Sequence, residues 1–492
     1  MDIKPSVSAP LRTSPALRRV RDLPGPPGLP ILGNLLQIEA SRLHQMVEGW
    51  SKRYGEYYRL RLGPREFLVI SNADAINAIL RDRPDGFRRT ARISEVASEM
   101  GFNGVFTANG DAWRRQRPMV MAGFDPTHIK SYFPTLVKVT DRFARRWKRA
   151  AEKGDEIDLL SDLMRFTVDV TAGLAFGSDI NTLESDQEII QTHLDKVFPA
   201  LFRRLLLPIP YWRYFKLPGD RQLDRHLEAL RDAVTSFIEQ ARRRIVENPH
   251  LRELPTNLIE AMIAARDVAA SGLTDSDVSG NVLTMLLAGE DTTANTLAWM
   301  IYLLHRNPEC HRLAAREVRM CLGEDGYPGR YEQLANLPYV EASAHETMRL
   351  KPVAPIQMQQ AVSDRVVGDI SVPAGTLLMC LTRPAATDEA WFPEASRFKP
   401  ERWLKDGQED NLSNSRKRLT MSFGGGPRIC PGRYLALQEM KMAIAMLFGT
   451  FDIEDVTTPD GGEASEQIAF TMGPVGLRLR LRMRSGTLHG PV

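Results

Sequence analysis

The chain has 492 residues, of which 43% are hydrophobic, so it can bury a large core. Its formal net charge of +3 is too small to indicate a nucleic-acid partner, and no apolar run reaches the roughly eighteen residues of a membrane span. The four cysteines form no Cys-x-x-Cys pair, which argues against a zinc site or disulfide framework and fits a reducing compartment. We therefore expect a cytoplasmic protein without a transmembrane anchor.

No repeat or low-complexity tract divides the chain, so we predict a single domain over residues 23–492 after a flexible tail over residues 1–22. The tail contains four arginines, several serines and few acids. Transit peptides have a similar composition, and that alternative stays open.

The first third of the domain predicts a β-hairpin and then helices. Strand-forming residues at 57–62 and 67–70 flank a Gly-Pro turn, and helical spacing follows at 73–80. Residues 90–110 have no periodicity and predict a mobile loop. Beyond it, Trp113 and Arg117 are four residues apart on one helical face, so both could reach a single carboxylate. Alone, such a pair is usually a surface cation–π contact.

Charged helices are predicted across residues 127–245, with an aromatic, proline-broken stretch at 198–215. That stretch cannot all face water, and it could belong to the core or cover a binding site.

A mostly apolar helix is predicted over residues 274–305, with Ala-Gly-Glu-Asp-Thr-Thr at 288–293 inside it. Gly289 costs a helix about 1 kcal/mol relative to alanine, and the hydroxyl of Thr292 can divert a backbone carbonyl. We expect a local opening that exposes a hydroxyl and the Asp291 carboxylate for proton transfer. An N-cap-like cluster in a frayed helix is the alternative, and Glu290 is expected to face solvent or form a helix salt bridge.

Residues 423–432 read Phe-Gly-Gly-Gly-Pro-Arg-Ile-Cys-Pro-Gly. Glycines let the backbone pass close to a flat group, and Pro431 suits the first position of a helix. Cys430 would then lie at a helix N-terminus, where the dipole and Arg428 favour a thiolate. Such a sulfur suits an iron porphyrin, whereas the alternative is a buried cysteine after a glycine-rich turn.

This Phe-x-x-Gly-x-Arg-x-Cys-x-Gly spacing resembles the haem-thiolate loop of the cytochrome P450 family. Three more segments resemble family motifs in the same order, namely Trp-x-x-x-Arg at 113–117, Ala-Gly-x-Asp-Thr-Thr at 288–293 and Glu-x-x-Arg at 346–349. The likeness extends from about Leu23 to the end. It implies a mainly α-helical fold with small β-sheets, in which haem b lies between the 288–293 helix and the Cys430 helix.

The resemblance also implies roles for individual residues. Cys430 would be the axial iron ligand, Thr292 would hydrogen-bond the oxygen bound at the iron, and Asp291 would relay protons to it. The implied haem-binding residues are Trp113, Arg117, Ala288, Gly289, Phe423, Gly424, Arg428, Cys430 and Gly432. The implied structural triad is Glu346, Arg349 and Arg402. The implied substrate pocket contains Val105, Phe106, Val353, Ile356 and Met472, although the first two could equally be apolar loop anchors.

Two departures from the family pattern concern the haem propionates. Gln359 stands where the family usually has an arginine that pairs with a propionate, and Ala386 begins the segment that is usually His-Arg-Asp-Pro. We therefore expect Trp113, Arg117 and Arg428 to carry more of the propionate binding.

The implied activity is monooxygenation, in which one atom of O₂ enters a lipophilic substrate by hydroxylation or epoxidation. Electrons would come from a separate ferredoxin or flavodoxin-like protein and its reductase. A basic face with Arg114, Arg115, Arg433 and residues 416–418 could bind that partner, or the 416–418 run could be a solvated charge cluster. A non-catalytic haem-thiolate sensor or electron carrier and a peroxide-driven peroxygenase remain alternatives.

Overall fold

The computed structural model describes residues 17–484, except 125, 186–188, 208, 323–325 and 405–409. Helices dominate the described residues. The α-helices are α1 (Leu43–Tyr54), α2 (Ala73–Arg81), α3 (Ala91–Glu99), α4 (Gly110–Gly123), α5 (Pro126–Ser131), α6 (Phe133–Lys153), α7 (Leu159–Phe176), α8 (Ile189–Leu206), α9 (Pro218–Glu247), α10 (Leu258–Asp267), α11 (Asp275–Arg306), α12 (Pro308–Leu322), α13 (Pro338–Leu350), α14 (Arg383–Ala386), α15 (Asp410–Thr420) and α16 (Arg433–Thr450).

In the part of the chain that the structure describes, the strands are short and form four small sheets. They are β1 (Arg18–Arg19), β2 (Tyr57–Leu62), β3 (Arg65–Ile70), β4 (Phe87–Arg88), β5 (Ile157–Asp158), β6 (Ile356–Ala361), β7 (Arg365–Val367), β8 (Ile370–Val372), β9 (Leu377–Leu381), β10 (Phe451–Thr457), β11 (Glu466–Ala469), β12 (Thr471–Pro474) and β13 (Arg478–Met483). The sheet orders are β2-β3-β9-β6-β4, β1-β8-β7, β10-β13-β5 and β11-β12. The prediction of a mainly α-helical fold with small sheets is confirmed.

Helix α11 runs through the core, as its apolar pattern predicts. Thr274 caps it, since its hydroxyl accepts from the Asp277 N–H and the Asp277 carboxylate accepts from the Thr274 N–H. The helix is continuous across residues 288–293, so the predicted local opening is not present. Gly289 has a packing role instead, because a Cβ there would come within 2.3 Å of Thr171 Oγ1 on the adjoining α7.

Two further predictions about local structure need correction. Helix α3 occupies part of the segment predicted as a loop, and its apolar side packs inward through Ile93 and Val96. The end of the predicted tail belongs to the fold, because β1 pairs in parallel with β8 and Val20 is buried. Residues 1–16 of that tail lie outside the described residues. The β2–β3 hairpin is confirmed.

Across the described residues, we find no helix with the length and apolar character needed to cross a membrane.

Candidate active site

Cys430 lies on a tight loop between a short 3-10 turn at Gly426–Arg428 and helix α16. The Cys430 N–H donates to the Phe423 carbonyl oxygen at 2.9 Å, which closes the loop across the glycines. Gly426 has a φ of +64°, and a Cβ there would come within 2.2 Å of the Leu80 carbonyl oxygen. Only glycine fits this position. The helix begins at Arg433 with Gly432 at its N-cap, so the prediction that Pro431 is its first residue is wrong.

Opposing effects act on the sulfur of Cys430. Burial raises the pKa of the thiol, and the Gly432 N–H and the positive charges of Arg117 and Arg433 offset this only in part, so the pKa lies above its ordinary value. The loop by itself therefore does not favour a thiolate, contrary to the expectation from its sequence. Arg117 is fixed next to the loop because it donates to the Ile429 carbonyl oxygen at 2.5 Å. The cations beside the sulfur are therefore Arg117 and Arg433, whereas the sequence had suggested Arg428.

Arg428 turns towards helix α4 and the segment before it. Its guanidinium lies 5.0 Å from the centroid of the Trp113 ring and donates to the Ala108 carbonyl oxygen. The structure thus brings Trp113, Arg117 and Arg428 into one region, as their shared predicted role requires. They approach it from α4 and from the cysteine loop.

A further cation, the partly buried Arg89, joins this region from the segment after β4. The Arg89 guanidinium lies 3.7 Å from the centroid of the Phe106 ring, and its Nε has no hydrogen-bond partner among the described residues. Burial lowers the pKa of Arg89, and the charges of Arg428 and Arg83 lower it further. Burial likewise lowers the pKa of Arg428 to about 10. Cations that repel one another and are not fully hydrogen-bonded are suited to an anionic ligand.

Helix α11 contacts α16 and presents the second group of predicted residues. Ala288 is exposed although residues 281–287 of the same helix are buried, so the helix has an accessible surface at this point. The Thr292 hydroxyl donates to the Ala288 carbonyl oxygen at 2.8 Å, as predicted. Glu290 is only 2% exposed, so the expectation that it faces solvent is wrong.

Asp291 is held at both carboxylate oxygens. Asn295 Nδ2 donates to Oδ1 at 2.9 Å, and the Thr471 hydroxyl donates to Oδ2. These two partners come from one turn further along α11 and from the β11–β12 hairpin.

Glu346 lies at the centre of a buried ion network between α13 and the 3-10 turn at Pro400–Trp403. Arg349 donates to it through Nε and Nη2, each at 2.8 Å, and Arg402 Nε donates at 3.3 Å. The Trp403 indole N–H adds a fourth hydrogen bond at 2.9 Å. The three residues of the predicted triad are therefore together, and Trp403 extends the network.

The predicted substrate-pocket residues divide into two groups. Phe106, Val353 and Ile356 are partly accessible, whereas Val105 is 7% exposed and Met472 is fully buried. The Met472 side chain packs in the core, and its backbone N–H donates to the Val353 carbonyl oxygen at 2.8 Å. The Phe106 ring instead contacts the ring of Phe470, two residues before Met472, at a centroid distance of 6.0 Å.

A family model described as cytochrome P450 matches residues 23–480. This chain belongs to the cytochrome P450 family. It is 27% identical to pentalenene oxygenase of Streptomyces avermitilis over 94% of this chain and 97% of that protein. It is 26% identical to the chloroplastic carotene epsilon-monooxygenase of Arabidopsis thaliana, over 87% of this chain and 80% of the relative.

Another relative is a self-sufficient cytochrome P450 monooxygenase of Phanerodontia chrysosporium, at 28% identity over 87% of this chain. The match covers only 40% of that protein. Cytochromes P450 are haem-thiolate oxidoreductases that use O₂ as co-substrate, and this chain is an enzyme of that class.

The residues present fit a haem. Cys430 offers one sulfur beside an N–H donor and two cations, and the cluster of Arg89, Arg428 and Trp113 offers donors suited to propionates. When bound, haem supplies the iron at which O₂ is activated. The chain would contribute the sulfur of Cys430 as a ligand, cationic anchors for the propionates, and the polar residues Asp291 and Thr292.

Sequence reasoning missed several of these residues. Arg89 follows a two-residue strand, and its only signal is a charge in a segment that is partly buried. Asn295 is four residues after Asp291, a helical spacing that could have suggested the contact. The contact with Thr471 joins residues 180 positions apart, and nothing in the sequence indicates it.

Proposed function

We propose that this protein is a monooxygenase that inserts one atom of O₂ into a lipophilic substrate by hydroxylation or epoxidation. The observation that carries the proposal is the pairing of Asp291 and Thr292 on the helix that contacts the Cys430 helix. A carboxylate fixed at both oxygens beside a hydroxyl can hold and pass a proton. A sensor or electron carrier would have no use for this arrangement.

The proposed substrate is an isoprenoid-like hydrocarbon. Three aromatic rings cluster beside the predicted pocket, because Phe470 also stacks on Phe198 at a centroid distance of 5.2 Å. Such rings favour apolar ligands. Two of the relatives are named for pentalenene and carotene, which supports the same substrate class.

Electrons are proposed to come from a separate acidic protein that binds near Arg433. Arg433 is close to the sulfur, and the neighbouring Tyr434 is 49% exposed. Arg114 contributes less positive charge because it is paired with Asp85 and Asp111. The four free cysteines support a cytoplasmic location for this protein.

The first test is the carbon monoxide difference spectrum of the reduced protein. We expect a strongly red-shifted Soret band in the natural protein that is lost in Cys430→Ala and Cys430→His. Cys321→Ala, at a half-buried cysteine away from the loop, is the matched control and should keep the band. A natural protein that binds haem without this band would refute the thiolate ligation.

The second test separates a monooxygenase from a peroxygenase and from a sensor or electron carrier. Product from limonene, used as an isoprenoid probe, should depend on NADPH with a ferredoxin and its reductase. Turnover that needs only hydrogen peroxide would favour a peroxygenase. The absence of product with either electron source, in protein with the red-shifted band, would favour a sensor or carrier.

A further inference from the structure

The β11–β12 hairpin contacts both the proposed proton relay and the proposed substrate pocket. At its tip, Phe470 lies against Phe106 and Phe198, while the next residue, Thr471, donates its hydroxyl hydrogen to Asp291. Adjacent residues of one turn therefore face two different parts of the site.

The approach of the hairpin to helix α11 depends on a glycine. A Cβ at Gly473 would come within 1.9 Å of Asn295 Oδ1, so no larger residue allows β12 to lie this close. Asn295 in turn donates to the carbonyl oxygen of Asp291 at 2.8 Å and to its Oδ1 at 2.9 Å. Gly473, Asn295 and Thr471 thus form one contact surface around the acid.

The base of the hairpin is anchored independently. Glu466, the first residue of β11, accepts from Arg383 at 2.9 Å, Lys351 at 2.6 Å and His44 at 2.9 Å. Because these partners come from α14, the end of α13 and α1, the hairpin cannot slide without breaking charged hydrogen bonds. Movement is therefore expected to be concentrated at the tip.

The backbone at the tip is strained. Phe470 has a φ of +92°, which a bulky residue rarely adopts, and such a conformation costs about 1–3 kcal/mol. The surroundings must hold it, and the aromatic contacts of Phe470 and the hydroxyl contact of Thr471 are made by this residue and the one after it. Because rotation about the strained N–Cα bond moves the Phe470 ring and Thr471 together, we expect a displacement of the ring to shift Thr471.

A small cavity adjoins the acid on this side. It has a volume of about 190 Å³, which is enough to hold several water molecules. Polar residues at its wall are Glu290, Asp291, Asn295, Gln467 and Thr471. Glu290 is the other titratable group among the described residues that line it.

We propose that Thr471 is a positioning residue for Asp291, and that the strained turn at Phe470 links substrate binding to the orientation of this acid. A hydroxyl can donate to an ionised carboxylate and accept from a protonated one, so Thr471 can hold Asp291 in both states. The inference rests on the proposed proton role of Asp291.

The test compares Thr471→Val, which loses the hydroxyl at nearly constant volume, with Thr471→Ser, which keeps it. The measured quantity is coupling, the fraction of NADPH electrons recovered in limonene product with the rest lost as hydrogen peroxide. We expect Thr471→Val to lower coupling about fivefold, which corresponds to one hydrogen bond of about 1 kcal/mol, and Thr471→Ser to stay near the natural value. The acid limb of the coupling–pH profile should move to higher pH in Thr471→Val alone, because a lost donor favours the protonated carboxyl.

Infrared titration provides a readout that needs no turnover. The carboxyl band of Asp291 is identified by its absence in Asp291→Asn. Its midpoint should move to higher pH in Thr471→Val, and limonene should shift it in the natural protein but not in Phe470→Ala.

The outcomes separate this inference from the proposed function. If Asp291→Asn is uncoupled but Thr471→Val behaves like the natural protein, the inference is wrong and the proposed function stands. Equal impairment of Thr471→Val and Thr471→Ser would mean that the side chain only packs, which also overturns it. If Asp291→Asn keeps natural coupling, the proton role fails and the inference fails with it.

Discussion

Removing the charge of Glu346 should lower the free energy of unfolding more than removing a charge at the protein surface does. Glu346 is fully buried and accepts from Arg349, Arg402, Trp403 and the Lys399 N–H. Glu346→Ala leaves two buried guanidinium groups without their anion, and breaking such a pair costs about 3–5 kcal/mol. We expect a loss of that size in the free energy of unfolding, measured in urea with haem content followed in parallel.

Two further variants calibrate this value. Trp403→Phe removes one neutral donor to the same carboxylate and should cost about 1 kcal/mol. Glu394→Gln disrupts the exposed pairs with Arg397 and Lys399, and it should change the free energy of unfolding far less than Glu346→Ala because solvent screens these pairs. A loss in Glu346→Ala no larger than that in Glu394→Gln would refute the view that the buried network stabilises the fold.

Three other changes test separate parts of the site. Although burial raises the pKa of Glu466, the His44 hydrogen bond and the charges of Arg383 and Lys351 bring it well below its usual range. The ionised Glu466 carboxylate therefore stabilises the folded protein above about pH 4.5, and this stabilisation is lost as the pH falls. Glu466→Gln should flatten the acid side of the stability–pH curve measured in urea. Gly289→Ala should lower the thermal midpoint, because its Cβ would meet Thr171 Oγ1 at 2.3 Å, and Thr171→Ala in the same chain should restore part of it. Arg89→Gln should release haem to apomyoglobin faster than the natural protein, whereas Arg59→Gln, at an exposed arginine, should not.

Features set by local sequence were predicted well. The apolar spacing of α11, the β2–β3 hairpin and the hydroxyl contact of Thr292 each depend on residues close together in the chain. The composition of residues 423–432 likewise indicates a tight loop because glycines and a proline restrict its shape. The predicted start of α16 at Pro431 was wrong by two residues, because capping decides where a helix begins.

Features set by packing between distant elements were not predicted. The burial of Glu290 depends on α7, whose Thr167 hydroxyl donates to the Glu290 carbonyl oxygen at 3.0 Å. Gly289 seemed to weaken a helix, yet it allows that helix to approach α7. The sequence around Glu290 suggests exposure to solvent, and the sequence around Gly289 suggests a weakened helix. Only the contact with α7 explains either residue.

The position of Arg89 follows from strand register. Strands β4 and β6 are antiparallel, and Phe87 pairs with Ala361 while Arg88 pairs with Gln360. Continuing this register places Arg89 opposite Gln359, the residue that stands where the family usually has a propionate-binding arginine. Gln359 is fully buried, and neither its amide nitrogen nor its amide oxygen has a hydrogen-bond partner among the described residues. We therefore expect Arg89, at the end of β4, to supply the cation that β6 lacks, so that an anion on this side would meet Arg89 and the Gln359 amide together.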